Sequence, residues 1–502
     1  MADRNGSDAR QKQARNFPLV AFVRMQNLLA NYDFGAGYDE MFVRPGVPRA
    51  HCRAAFDALS ALSAEDLRDA QQRADLAFVN LGITFTVYSE SEGIERIFPF
   101  DLVPRVISGS EWSRVEQGLK QRVLALNAFC QDVYNEGRIV DAGVISAESV
   151  YGSPNYRPEM RGFTPPNGAW IHIAGIDLVR DADGTIYVLE DNGRTPSGVS
   201  YVLQNRSIST RVMPRLFSQS GVLPVNDYAN RLHDAVRNCY GPEPAVVLTP
   251  GVYNSAYFEH SYLAKQMGVQ LVEGRDLAIH EGHIAMRTTR GLIRVGAIYR
   301  RVDDEFLDPL NFNPDSTLGV PGLIDVYRAG GTCLINGIGT GVADDKSIYP
   351  YVPDMIRFYL GEDAILPNVP TFRCVDDKDR EHVLAHMRDL VVKPTNASGG
   401  YGVVIGPASD ERTLMATRDA IERDPAGFVA QPLVRLSTCP TVIDGTYQPR
   451  RVDLRPFVIF DGREPWVLPG GLTRVALQEG SFIVNSSQGG GSKDTWVLYG
   501  AS

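Results

Sequence analysis

Asp177, Glu190 and Asn192 flank one tight turn in the stretch IDLVRDADGTIYVLEDNGRTPSG, and their oxygens suit a hard divalent cation. An apolar run, IHIAGID, leads to Asp177, and Asp181, Asp183 and Gly184 form the composition of a hairpin reversal. TIYVLE then returns as a β-branched and aromatic strand carrying Glu190. Alternate side chains of a strand share a face, so two carboxylates and an amide oxygen converge from paired strands. A solvated acidic hairpin is the competing interpretation. The following Arg194-Thr195-Pro196-Ser197-Gly198 favours a site, because a solvated turn needs no arginine and Pro-Ser-Gly loop beside its acids.

Further groups lie downstream. In LVVKPTNASGGYGVVIG, Lys393 ends a strand before a loop holding Ser398, Gly399, Gly400 and Gly402. Glycines let backbone N–H groups approach a phosphate and lysine compensates its charge, although a glycine-rich turn beside a surface lysine has the same composition. The lysine precedes the glycines, so this is not a Walker A loop. FVAQPLV carries Gln431, and RRVDLRPFVIF places Asp453 and Arg455 on one face of a strand. Arg300 and Arg301, in YRRVDD, either clamp an anionic substrate or pair with Asp303 and Asp304. Asn254-Ser255 with Glu259-His260 is a second group there, where His260 fits a satisfied helix residue. Near the end, VNSSQGGGSKDTW is either a flexible linker or a second phosphate loop using Asn485, Lys493, Asp494 and Trp496.

The elements that must position these groups form an α/β chain of several domains, since 502 residues exceed one ordinary core. Residues 1–165 are expected to be a mainly helical region. A capping box at Ser63-Ala64-Glu65-Asp66 opens a helix ending near Gly82, ITFTVY alternates like a short strand, and a periodic helix from Trp112 to Val133 precedes Gly137. Residues 166–242 contain the acidic hairpin. Residues 243–340 begin with AVVLTPG, a helix to Met267-Gly268 and VQLVEG, a βαβ unit of Rossmann-like type without the GxGxxG of a nicotinamide site. Residues 341–502 open with a helix-like segment from Ala343-Asp344-Asp345-Lys346 to Leu360 and hold the lysine and glycine groups.

Net charge of −10 argues against a general polyanion binder such as a nucleic-acid protein. Six cysteines, Cys52, Cys130, Cys239, Cys333, Cys374 and Cys439, show no metal spacing and are expected as incidental thiols in a reducing compartment. The polar N-terminus lacks a signal-peptide core and no apolar run reaches membrane-spanning length, so a cytoplasmic location is expected.

In combination these segments resemble the ATP-grasp enzymes. Asp177 and Glu190-Asp191-Asn192 resemble that family's metal-binding end, while Lys346, Lys393, residues 398–402, Gln431 and Arg455 resemble its earlier nucleotide half in order. The metal half comes first here, so the chain resembles the circularly permuted ATP-grasp proteins, close to the glutathionylspermidine synthase-like group. EDNGRTPSGVSYVLQNR, LTPGVYNSAYFEH, GVADDK and NSSQGGGSKDTWVL add to that resemblance. It implies ATP and Mg²⁺ as cofactors, with the ion on Asp177, Glu190 and Asn192. It also implies that Lys346, Lys393, Ser398, Gly399, Gly400, Gly402, Gln431 and Lys493 hold nucleotide. The implied reaction joins a small-molecule or peptide carboxylate to an amine through an acylphosphate, releasing ADP and phosphate. Arg455 or Arg194 would face the acylphosphate, and Arg300 or Arg301 the acid substrate. A phosphotransferase using the same apparatus and a non-catalytic nucleotide-binding partner protein are the alternatives.

Overall fold

The computed structural model describes residues 28–89, 92–396, 402–482, 484 and 489–500, with the backbone alone for 84–97. Helix α1 (Ala64–Asn80) starts where the Ser63 hydroxyl accepts from Asp66 N–H and the Asp66 carboxylate accepts from Ser63 N–H. This capping box satisfies two of the donors a helix start leaves open. A hairpin of Thr84–Ser89 and Glu92–Ile97 leads to strand β1 (Phe100–Ile107), buried along its whole length. Helix α2 (Gly109–Val133), capped by Ser108, buries Trp112, Val115, Leu119, Val123, Leu126, Cys130 and Val133. The N-terminal region is therefore less helical than its sequence suggested: β1 joins the central sheet. The acidic hairpin is β2 (Ile173–Arg180) and β3 (Ile186–Asn192), reversed through Gly184 at φ +90°. Helices α3 (Val199–Val212) and α4 (Tyr228–Tyr240) follow.

A four-stranded parallel sheet comes next. Strand β4 (Ala245–Leu248) leads to helix α5 (Tyr257–Met267), which Gly268 ends at φ +70°, and then to β5 (Gln270–Val272). With β6 (Ala297–Arg300) and β7 (Cys333–Ile335) the strand order is β7-β6-β4-β5. Alternate residues of β4 enter different cores. Val246 and Leu248 belong to the core that also holds the α2 side chains, and Val247 to the core that holds Leu263, Tyr228 and Phe457. Both faces are covered, as parallel sheets require. Beyond this sheet the expected helix from Ala343 forms only at Val352–Leu360, after short turns at Thr340–Asp344 and Tyr349–Tyr351.

A small antiparallel sheet contains β8 (Phe372–Arg373), β9 (Leu390–Pro394), β10 (Val404–Ile405) and β11 (Phe428–Pro432), ordered β8-β11-β9-β10. Helices Asp377–His386 and Glu411–Arg423 accompany it. Its core, including Val383, Leu390, Val392, Leu414 and Ala430, is separate from the two large ones.

The strands towards the C-terminus are β12 (Thr438–Ile443), β13 (Thr446–Arg455), β14 (Phe457–Phe460), β15 (Pro465–Val467), β16 (Leu472–Val475) and β17 (Gly491–Val497). They complete a nine-stranded sheet ordered β15-β14-β2-β13-β16-β17-β1, with β3 on β2 and β12 on β13. Strand β2 lies between β14 and β13 through Gly175↔Phe457 and Leu178↔Leu454. Two distant blocks of sequence thus interleave in one sheet.

Candidate functional site

In the hairpin, Asp177 is the register partner of Glu190, but Leu178 already faces Val188. The extra residue, Leu189, makes a bulge, a device that re-aims neighbouring side chains. Glu190 and Asn192 share one face. Asp191 points to the other, where Arg122 of α2 donates to both its carboxylate oxygens at 2.5 and 2.7 Å. Glu190 is 29% exposed. Asn192 is half-buried, and its Nδ2 donor is buried without a hydrogen-bond partner. Such orphaned donors are uncommon and mark a place where an acceptor belongs.

Asp177 is buried and held by two guanidiniums. Arg455 donates from Nε at 2.5 Å and from Nη2 at 2.8 Å, and Arg474 from Nη2 at 2.6 Å. Burial alone would raise its pKa, but Arg455 and Arg474 outweigh that and hold it at about 2. Arg474 also bonds both oxygens of Asp453, its register partner across β13 and β16, at 3.0 Å from Nε. Arg474 was missed from the sequence, and the signal available was LTRV, a strand with one charged residue. One lone pair remains on Asp177 Oδ1, which accepts only from Arg455 Nε. With the Glu190 carboxylate and the Asn192 amide oxygen this is an all-oxygen donor set, and it fits Mg²⁺.

The lysines come from the later sequence block. Lys393 is half-buried on β9, and its Nζ donates to Gln431 Oε1 of β11 at 2.6 Å. Gln431 Nε2 in turn donates to Thr371 at 2.9 Å, so the amide fixes the ammonium. Burial lowers the Lys393 pKa and Lys346 lowers it further, while Glu190 and Asp177 pull it back up. Lys393 and Lys346 therefore share one electrostatic environment with the carboxylates of the hairpin. Asp344 explains why GVADDK arrives there: one of its oxygens accepts from the backbone N–H groups of Gly193 and Arg194, each at 3.0 Å, and from Arg194 Nε at 3.2 Å. Arg194 is thereby beside the hairpin, 30% exposed. Gly402 has φ +71°, and Ser398, Gly399 and Gly400 lie outside the described residues.

Three expected site residues are instead buried and held by protein partners. Arg300 is fully buried, donating to the carbonyls of Asn336, Val302 and Gly337 and pairing with Asp304 at 2.7 Å. Arg301 bonds the Pro196 carbonyl at 2.7 Å and the Tyr299 hydroxyl at 3.0 Å, and pairs with Glu259 at 3.3 Å. Glu259 also accepts from the N–H groups of Gly198 and Ser200, so the pair ties the parallel sheet to the start of α3. His260 meets Thr249 at 2.9 Å, and burial and Arg301 push its pKa down. Lys493 is fully buried on β17, pairing with Asp101 and donating to the Pro440 carbonyl at 2.8 Å. Asp494 accepts from Arg206 and from the Trp496 indole. Lys493, Asp494 and Trp496 are thus core groups, correcting the expectation of a second phosphate loop, and Asn485 lies outside the described residues.

The interleaved sheet and the convergence of a late lysine pair on an early carboxylate hairpin are the marks of a permuted nucleotide fold. The pattern of the circularly permuted ATP-grasp type 2 family matches residues 104–476. The chain belongs to that family. An uncharacterised protein of Synechocystis sp. is 50% identical over 478 residues, covering 94% of this chain and 99% of its own. An uncharacterised protein of Mycobacterium tuberculosis is 52% identical over 469 residues, 93% of this chain and 84% of its own. A Frankia alni protein named "Putative glutamate–cysteine ligase 2-3" is 43% identical over 470 residues, and this chain spans about half of it, 54%. Among solved structures, a glutathione synthetase-like effector from Globodera pallida superposes with TM-score 0.56 at 11% identity, over 87% of this chain and 98% of that one. That likeness concerns the fold.

Proposed function

We propose that this circularly permuted ATP-grasp protein joins a carboxylate to an amine at the expense of ATP, through an acylphosphate. The observation that carries this reading is that Asp344 ties the GVADDK segment to the backbone of Gly193 and Arg194 at the end of the early hairpin, while Glu190 and Asp177 of that hairpin act on Lys393 of the later block. Glu190, Asn192 and the free lone pair of Asp177 Oδ1 would hold Mg²⁺, which supplies charge compensation for the transferred phosphoryl group. Lys393, oriented by Gln431, and Lys346 bind the phosphates. The unpartnered Asn192 Nδ2 donates to a phosphate oxygen. Arg455 and Arg194 face the acylphosphate, where guanidiniums stabilise developing charge. Asp177 and Asp453 fix Arg455 and Arg474 in place, so the cationic wall is preorganised. No side-chain nucleophile is needed, because the substrate carboxylate itself attacks phosphorus.

The acid and amine are small molecules or peptides. The Frankia relative's name and the resemblance to glutathionylspermidine synthases favour a glutamyl- or glutathione-type acid. The test is chromatography of spent nucleotide from purified enzyme incubated with Mg²⁺, ATP and a low-molecular-weight extract, with mass spectrometry of the new product. ADP with a new amide is expected. Stoichiometric AMP would place the protein in an adenylating class. A phosphorylated product without an amine requirement would make it a phosphotransferase.

A further inference from the structure

At the far end of β2 from Asp177, His172, Cys239 and Cys333 come together: one ligand atom of each lies within 4.8 Å of the others, and all three residues are buried. Among the described residues no other group of three or more histidine, cysteine or acidic side chains is disposed to hold a metal ion. Cys239 is near the end of α4, Cys333 begins β7, and His172 precedes β2, so three separate elements meet there. Cys239 and Cys333 are joined as a disulfide with Cα atoms 6.3 Å apart. Two of the six thiols expected to be incidental are therefore paired.

His172 makes the cluster more than a crosslink. Its backbone is pinned, with its N–H donating to Asn336 Oδ1 at 2.8 Å and its carbonyl accepting from Phe460 N–H at 2.7 Å. Its ring is 1% exposed in residue terms, yet neither Nδ1 nor Nε2 has a hydrogen-bond partner. With no partner on either ring nitrogen, the buried imidazole has a lone pair free to offer to the two sulfurs' side of the cluster. A disulfide has no use for that lone pair. Two thiolates and a neutral imidazole around a divalent cation sum to zero charge, which a buried site tolerates.

We propose that, when reduced, Cys239 and Cys333 bind one thiophilic divalent cation of the Zn²⁺ class together with His172, and that the disulfide and metal-bound forms exclude each other. A dithiol reductant of the thioredoxin class takes the disulfide to two thiols while itself becoming a disulfide. The cation then displaces one proton from each thiol, two in all. Either form ties α4 to β7, but only the metal form also engages His172, which immediately precedes β2, the strand that carries Asp177.

The experiment titrates Co²⁺ and Zn²⁺ into the full chain, reduced and then freed of reductant, beside the untreated oxidised chain. Expected is one equivalent of Co²⁺ bound by the reduced protein with a thiolate-to-cobalt charge-transfer band, displaced by Zn²⁺, and none bound by the oxidised protein. His172→Ala should retain the band but weaken binding roughly 10- to 100-fold, and Cys239→Ser should diminish it. Circular dichroism confirms that each variant is folded. Absence of the band from folded, reduced wild-type protein overturns the proposal without any variant, as does equal uptake by oxidised protein. Undiminished affinity in folded His172→Ala removes the histidine and with it the proposed site. None of these readouts depends on the ligase reading.

Discussion

Asp177 is the residue on which opposing demands meet. Its carboxylate sits among metal-ligand candidates yet neutralises Arg455 and Arg474, both of which it hydrogen-bonds. Replacing Glu190 or Asn192 removes a partly exposed group, so Glu190→Gln and Asn192→Ala should lose Mg²⁺-dependent ATP turnover roughly 100-fold or more with little change in unfolding midpoint. Asp177→Asn should differ by costing stability as well, about 3–5 kcal/mol, because it leaves buried guanidiniums under-compensated. Urea unfolding of the three variants separates these cases, and equal stability in all three would show that Asp177 is not the counter-ion. The pH sign follows from the depressed pKa. An Asp held at about 2 contributes stability that is complete above the unfolded value near 4 and is lost as pH falls through about 2. Asp177→Asn should therefore flatten the acid limb of the stability profile. The Lys393 pKa is lowered as well, in its case by burial of the charged form. Phosphate favours its charged form, so ATP binding on the alkaline side should take up protons, and Lys393→Met should abolish that uptake. Calorimetry in buffers of different ionisation enthalpy measures it, with ATP affinity expected to fall roughly 10- to 100-fold.

At the level of elements, the small sheet β8-β11-β9-β10 carries Lys393 and Gln431 but has its own core of a few side chains. A unit with so small a core opens at lower free energy than the large sheets. Hydrogen exchange over residues 372–396 and 402–432 should thus be faster than over β2 and β13. A non-hydrolysable ATP analogue with Mg²⁺ should slow it selectively, and no change there would separate this sheet from the nucleotide site. Lys493 makes the complementary case. It lies on β17 with Asp101 as its counter-ion, so Lys493→Met should lower stability by about 3–5 kcal/mol while the folded fraction keeps its ATP affinity. Titrating nucleotide against the folded variant decides between this and a phosphate role.

For the whole molecule, permutation leaves the central sheet intact because strand pairing does not depend on chain order. β2 finds β13 and β14 across the intervening parallel sheet. Within the described residues no helix is long and apolar enough to cross a membrane. By itself the sequence determined the hairpin, since turn composition and period-2 alternation are local properties, and Asp177 indeed faces Glu190. It likewise determined the Ser63 capping box and the βαβ start at β4, whose signals span only a few residues. Its motif order identified the permuted family. Tertiary structure alone decided which charges are buried as counter-ions. YRRVDD and GSKDTW look as functional as GVADDK on paper, but Arg300 is spent on Asn336, Val302, Gly337 and Asp304, and Lys493 on Asp101, 392 residues away. The same holds for Arg474, hidden in an apolar strand until Asp453 and Asp177 flank it, and for Cys239, Cys333 and His172, which no sequence spacing unites. A charge keeps its function or becomes a strut according to the partner that burial brings to it, and that partner lies in a distant part of the chain.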